Sequence, residues 1–230
     1  MRIQRTKPHL TASRDDCDKC ERGWIERVNE SGSLRAARCD CYSSAIAAGR
    51  LNAARIPFSY FGAMSLDLSA PSGSDGWREA SAALARSTAE GDGLLTLIGP
   101  PGSGKSWLMA NQLRRAAETR SVAWLSTRSI HQTLKAFGGL DVAIEHLLSV
   151  EVLAIDEIGY TRAGRNGETS FAMDVITQLL CDRLERGWLT WCTSNSAPDE
   201  LAGDVGPAVY DRLRGGGVFV ISGQSMRGLA

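Results

Sequence analysis

Apolar residues fall into five short runs separated by longer polar or amphipathic stretches: "GLLTLIG" (93–99), "SVAWLS" (121–126), "VEVLAIDEIG" (150–159), "WLTWCTSNS" (188–196) and "VFVIS" (218–222). Each has the length of a buried strand. The stretches between them carry helical spacing. Met109, Leu113, Ala116 and Ala117 recur at that period after the first run, and "WREASAALARSTAE" (77–90) predicts a helix before it. In the stretch after 126, Ile130, Leu134 and Phe137 share one helical face, while Arg128, His131 and Lys135 share another. Strand and helix thus alternate from about residue 77 onward, the pattern of an α/β chain. Upstream the period changes. Trp24, Glu26 and Val28 alternate before the turn signal "NESGS", predicting a hairpin, and "YSSAIAAGRLNAAR" predicts a helix stopped at Ile56-Pro57. Residues 59–76 read as an irregular, turn-rich lead-in.

The turn between the first run and its helix is "GPPGSGKS", Gly99-Pro100-Pro101-Gly102-Ser103-Gly104-Lys105-Ser106. Its glycines let backbone N–H groups turn toward phosphate oxygens, and the following helix offers its positive end. Lys105 is placed to reach the β- and γ-phosphates of ATP, and the Ser106 hydroxyl to ligate Mg²⁺. The third run ends in Asp156 and Glu157. An acid at this strand end holds Mg²⁺ in P-loop NTPases, and the adjacent Glu157 has the chemistry of a general base for the attacking water. The fourth run ends at Asn195, an amide able to orient that water.

Cysteine usage adds a second chemistry. Cys17 and Cys20 form a C-x₂-C pair and Cys39 and Cys41 a C-x-C pair, with the predicted hairpin between them. Two close pairs on tight turns suit a tetrahedral zinc site, and a segment this small needs a metal to fold. Cys181 and Cys192 stand alone in apolar surroundings and read as core. These assignments divide the chain into a zinc-binding segment (1–42), a linker helix (43–57) and an ATPase domain (58–230). The 230 residues, 43% hydrophobic, suffice for one core with a small appendage. Net charge is zero, but residues 1–55 carry 11 Lys/Arg against 7 Asp/Glu. That bias permits contact with nucleic acid without requiring it. No run has membrane length and the first ten residues lack the apolar stretch of a signal peptide, so a cytoplasmic protein with reduced or metal-bound cysteines is expected.

The end of the chain narrows the picture. "DRLRGGGVFVISGQSMR", together with "IDEIG", "TSN" and the lead-in "ARIPFSYFGAMSLD", resembles the DnaC/IstB-type AAA+ ATPases over roughly residues 50–230. The resemblance implies an α/β AAA+ P-loop core with a parallel sheet flanked by helices and no C-terminal lid. It makes Asn195 the sensor-1 residue, Arg212 an arginine finger acting on a neighbour's nucleotide, and Arg227 a sensor-2-like residue. Trp107 stands where the family often has His, which leaves the loop chemistry alone. The activity implied is ATP hydrolysis in a helicase loader of the DnaC/DnaI kind. Its partners would be the replicative DNA helicase, gripped by the zinc segment, and single-stranded DNA, held by the core. A homo-oligomer or a hexameric helicase-bound assembly is expected, with no membrane. A transposition helper of the IstB kind, binding duplex DNA and a transposase, and a zinc adaptor with a non-hydrolysing ATP switch remain as alternatives. Arg128 and Lys135 are the candidate DNA contacts, the other reading of that helix being an ordinary solvated basic face. Arg162 and Arg165 lie in a loop open to DNA, a neighbouring subunit or water.

Overall fold

A computed structural model describes residues 17–21, 23–60, 75–91, 93–136, 138–159, 168–223 and 225. Five parallel strands form the central sheet: β3 (Leu94–Ile98), β4 (Val122–Ser126), β5 (Val152–Ile158), β6 (Leu189–Ser194) and β7 (Gly217–Val220), in the order β4-β5-β6-β3-β7. The five apolar runs account for all of them. Strand alternation then splits the side chains between two cores. Leu153 and Ile155 face one cluster, Val152 and Ala154 the other. Both faces being covered explains why the strands read as continuous apolar runs rather than alternating ones.

One face is covered by α1 (Asp40–Ala53), α2 (Trp77–Glu90) and α3 (Lys105–Ala117). The other carries α4 (Ile130–Ala136), α5 (Leu140–Ser149), α6 (Glu168–Glu185), α7 (Leu201–Val205) and α8 (Pro207–Gly215). Because every strand of the sheet runs the same way, their C-terminal ends meet at one edge, where ligands of open α/β sheets bind. The opposite edge is held by Arg183 of α6. This side chain is fully buried, with no carboxylate paired to it among the described residues. It donates to the carbonyls of Leu147 (2.8 Å), Val150 (2.8 Å), Glu151 (3.3 Å) and Leu189 (2.7 Å), and to Thr190 Oγ1 (2.9 Å). Burial lowers its pKa to about 10.

Before the core, β1 (Trp24–Val28) and β2 (Leu34–Arg38) pair antiparallel as the predicted hairpin. Its turn is closed by the Asn29 side chain, which accepts from Ser31 N (3.2 Å) and Ser33 N (2.8 Å). The helix expected to link hairpin and core is itself packed on the core. Leu51, Ala54 and Ile56 join the α2–α3 cluster, Arg50 donates to Ala117 O at 3.0 Å, and Ala54 O accepts from Trp124 N at 2.8 Å on the sheet's β4 edge. Among the described residues no helix is long and apolar enough to cross a membrane.

Candidate functional site

The Gly-rich loop leaves β3 and enters α3 at the ligand-binding edge. Gly102 has φ 86°, and a Cβ there would strike Ser225 Oγ, so only glycine fits. The Lys105 ammonium turns back into the loop. Its Nζ donates to Gly99 O (2.7 Å), Pro100 O (2.9 Å) and Ser103 Oγ (3.3 Å), and the residue is buried. A phosphate entering the loop would replace carbonyl acceptors with charged ones.

Beside the loop, Ser106 Oγ donates to Asp156 Oδ1 at 2.6 Å, joining the two predicted Mg²⁺ ligands directly. Burial raises the Asp156 pKa, and the hydrogen bonds from Ser106 and Thr193 only partly offset it. A buried carboxylate next to a hydroxyl is a donor set suited to a hard oxygen-seeking ion such as Mg²⁺.

The chain does something at Glu157 that the linear pattern does not reveal. Ile155 pairs with Cys192 and Ile158 with Ser194, so β5 has one extra residue against β6. This bulge falls on Asp156 and Glu157, and Glu157 sits at φ 64°. Consecutive strand residues normally point to opposite faces; a bulge re-aims side chains at such sites. Thr193 stabilises it, donating to Asp156 Oδ1 at 2.6 Å while accepting from Glu157 N at 2.9 Å. Thr127 donates to the carbonyls of Asp156 (3.2 Å) and Glu157 (2.6 Å) from the other side.

Glu157 is engaged by Arg128. The guanidinium donates through Nε to Oε2 at 2.8 Å and through an Nη to Oε1 at 3.0 Å, a two-pronged ion pair with both carboxylate oxygens. Arg128 is thus directed at the strand end, where the sequence places it on the same basic face as Lys135. The register explains it: Ser126 lies opposite Asp156, so a residue just beyond β4 reaches the one just beyond Asp156. His131 also has a neighbour, stacking on Phe171 with ring centres 4.9 Å apart. Lys135 is exposed.

Of the other predicted site residues, Asn195 is exposed one position past β6. Arg212, in the last turn of α8, folds back along its helix to Ala208 O at 2.6 Å. Arg227, Arg162 and Arg165 lie outside the described residues. Thr193, Thr127 and the Arg128–Glu157 pair were missed by sequence reasoning. Thr193 alone left a signal, as the polar residue two before Asn195 and so on the same side of its strand.

The four N-terminal cysteines converge. Their Sγ atoms all lie within 4.8 Å of one another, with Cys17–Cys39 at 3.9 Å and Cys20–Cys41 at 3.4 Å. Tetrahedral thiolates about 2.3 Å from a zinc ion stand ~3.8 Å apart, so the cluster fits that metal. Gly23 N donates to Cys20 Sγ at 3.3 Å, and Cys39 N to Gly23 O at 2.9 Å, which ties the first knuckle to the start of α1. The Arg38 guanidinium lies 3.7 Å from the ring centre of Trp24 and 4.1 Å from that of Tyr42, joining hairpin to helix. A backbone hydrogen bond from Lys19 helps to hold the Cys17 thiol below its ordinary pKa, while the Cys20 side chain pushes Cys41 up. Cys192 is buried as expected, but Cys181 is partly exposed on α6.

The fold has well-populated relatives. A putative primosome component from Streptococcus pyogenes is similar at a TM-score of 0.60 and 22% identity, covering 78% of this chain and 98% of that one. A DnaC helicase loader matches at 0.58 and 21%, covering 71% and 99%. A DNA replication initiation factor matches at 0.55 and 18% over 64% of this chain, which spans only 46% of that protein. At these identities the likeness shows the fold, an AAA+ P-loop core. No curated protein matches the sequence significantly. A profile of the IstB-like ATP binding proteins matches residues 64–228, well over half of the sequence, and to that family the chain belongs.

Proposed function

We propose that the protein is an ATP-hydrolysing helicase loader whose cysteine hairpin binds the replicative helicase and whose core holds single-stranded DNA. The supporting observation is the joint placement of its two sites. Cys39 and Cys41 stand at the start of α1, and α1 packs along α3, the helix that begins with Lys105 and Ser106. A partner gripping the hairpin would therefore bear on the helix that holds the phosphates.

In the proposed reaction Lys105 leaves its loop carbonyls for the β- and γ-phosphates. Ser106 and Asp156 hold Mg²⁺, which when bound neutralises developing phosphate charge. Glu157 accepts the proton of the attacking water. Asn195 orients that water, Arg212 supplies charge across a subunit contact, and Arg227 acts as a sensor-2-like residue. Glu157 cannot serve as base while Arg128 occupies both its oxygens, so the paired arrangement is a resting one. The phosphates of single-stranded DNA compete for Arg128, which is 54% exposed on its side chain; drawing it away frees the base. Lys135, on the helix α4 that follows Arg128, would add a second phosphate contact. DNA binding and hydrolysis are then coupled through one side chain.

A second reading is favoured by the family profile: a transposition helper that assembles on duplex DNA with a transposase. Steady-state ATP turnover with single-stranded and duplex DNA separates the two. Stimulation by single strands supports the loader, and stimulation by duplex alone the helper. A Glu157→Gln variant that turned over normally would remove Glu157 as the base.

A further inference from the structure

The two flanks of the phosphate loop differ in kind. Toward β6 and β5 lie Thr193, Asp156 and Glu157. On the β7 side stands the start of α2, where Asp75 pairs with Ser222 and Gly76 packs onto the Val220 carbonyl. Trp77 is the first residue of that helix and is fully buried. Its ring centre is 5.6 Å from that of Trp107, with the planes inclined at 43°. Trp107 follows Ser106 directly, about 100° further around α3. Ser106 is turned toward Asp156, and Trp107 is turned toward α2. Unlike Trp77, Trp107 is only partly buried, at the edge of the cluster beneath α2 and α3. The Trp77 N–H is buried and has no acceptor among the described residues.

A nucleoside triphosphate must present its γ-phosphate to Asp156 and Glu157. With the phosphate chain running over Lys105, its sugar and base leave on the opposite flank, across the first turn of α3. We propose that Trp107 is the platform on which the nucleotide base stacks, with Trp77 fixing the platform from behind. This rests on the reading of the loop as a nucleoside-triphosphate site. An indole face offers stacking that any purine can use, and truncating such a platform commonly weakens binding by about tenfold. Partial exposure distinguishes Trp107 from a core aromatic: Leu108, Met109 and Leu113, which follow it on α3, are completely buried.

The test compares two probes in the presence of Mg²⁺: ADP, and inorganic tripolyphosphate, which has the phosphates without a base. Trp107→Ala should weaken ADP about tenfold and leave tripolyphosphate unchanged, while Trp107→Phe, which keeps a stacking face, binds both nearly normally. ADP should also quench tryptophan fluorescence in the wild type, tripolyphosphate should not, and the quench should disappear in Trp107→Phe. Normal ADP binding by Trp107→Ala overturns the proposal. Equal weakening of both probes overturns it too, by making Trp107 a support of the loop. Should Trp107→Ala fail to fold, a quench that survives in Trp107→Phe overturns it instead. If the wild type binds neither probe, the phosphate-loop reading falls, and the base platform with it.

Discussion

On the proposed reaction, replacing Arg128 with alanine should make ATP hydrolysis faster, an unusual expectation for a charged residue in a candidate active site. The pair it removes is two-pronged, at 2.8 and 3.0 Å, with side-chain exposures of 54% for Arg128 and 17% for Glu157. Two unit charges about 4 Å apart attract by ~4 kcal/mol at an effective dielectric of ~20. Loss of hydration and side-chain freedom offsets most of this, and exposed pairs net ~0.2–1 kcal/mol. The paired geometry and the burial of Glu157 place this one at ~1–2 kcal/mol. Such a latch leaves the base free in roughly one molecule in 5 to 30. If chemistry limits turnover, Arg128→Ala should raise basal kcat by about 5- to 30-fold with ATP affinity unchanged. Single-stranded DNA should stimulate the wild type and have little left to stimulate in the variant. Steady-state phosphate release with and without DNA reads both effects, and Glu157→Gln serves as the inactive control in each background. Basal turnover that stays level or falls, with ATP binding intact, would refute the latch.

Zinc analysis should find about one equivalent per chain, lost in Cys17→Ser or Cys39→Ser, while the sheet keeps its circular dichroism; an ordered hairpin without metal contradicts this. Asp156→Asn should raise the melting temperature of nucleotide-free protein at pH 7. Because burial raises the Asp156 pKa, the folded state holds more protons than the unfolded one just above the ordinary carboxylate range. Stability therefore falls as pH rises through that window, and the amide, still accepting from Ser106 and Thr193, removes the cost. The variant's advantage should shrink on acidification, and a lower melting temperature at pH 7 would count against it. Arg183→Met strands several buried carbonyls and should destabilise the domain by ~3–5 kcal/mol in denaturant unfolding; a change below ~1 kcal/mol would show that the sheet edge relaxes around the loss. Arg212→Ala should bind ATP yet hydrolyse it poorly, and mixing it with Lys105→Ala protein should restore part of the activity. No restoration in demonstrated mixed assemblies argues that Arg212 does not act across a subunit contact.

The elements themselves were largely legible. Strands buried on both faces leave apolar runs, and the phosphate loop announces itself because its chemistry demands fixed glycines, Lys105 and Ser106 in consecutive order. The cysteine pairs were legible for the same reason. Contacts between elements were not. That Arg128 meets Glu157 follows from β4 lying next to β5 with Ser126 opposite Asp156, and strand order is not written in local spacing. Helical periodicity placed Arg128 with His131 and Lys135 on a basic face; tertiary pairing redirected the first and stacked the second. Thr193 was overlooked for a related reason, since a threonine inside an apolar run reads as strand propensity until a bulge opposite it leaves an N–H and a carboxylate to satisfy. The helix expected to link hairpin to core proved to be packed on it. Its small residues gave little apolar signal, and the apolar contact comes from Leu51 near its end with Ala54 and Ile56 just beyond it.

The helicase-loader assignment is tested most directly by size-exclusion chromatography of the zinc-loaded protein with the replicative helicase of the same genome, in ATP and in ADP. Loading predicts co-elution that depends on nucleotide state and disappears in Cys17→Ser, even though that variant still binds ATP. Elution as separate species in both nucleotides, with a transposase from the same genome captured instead, would contradict it.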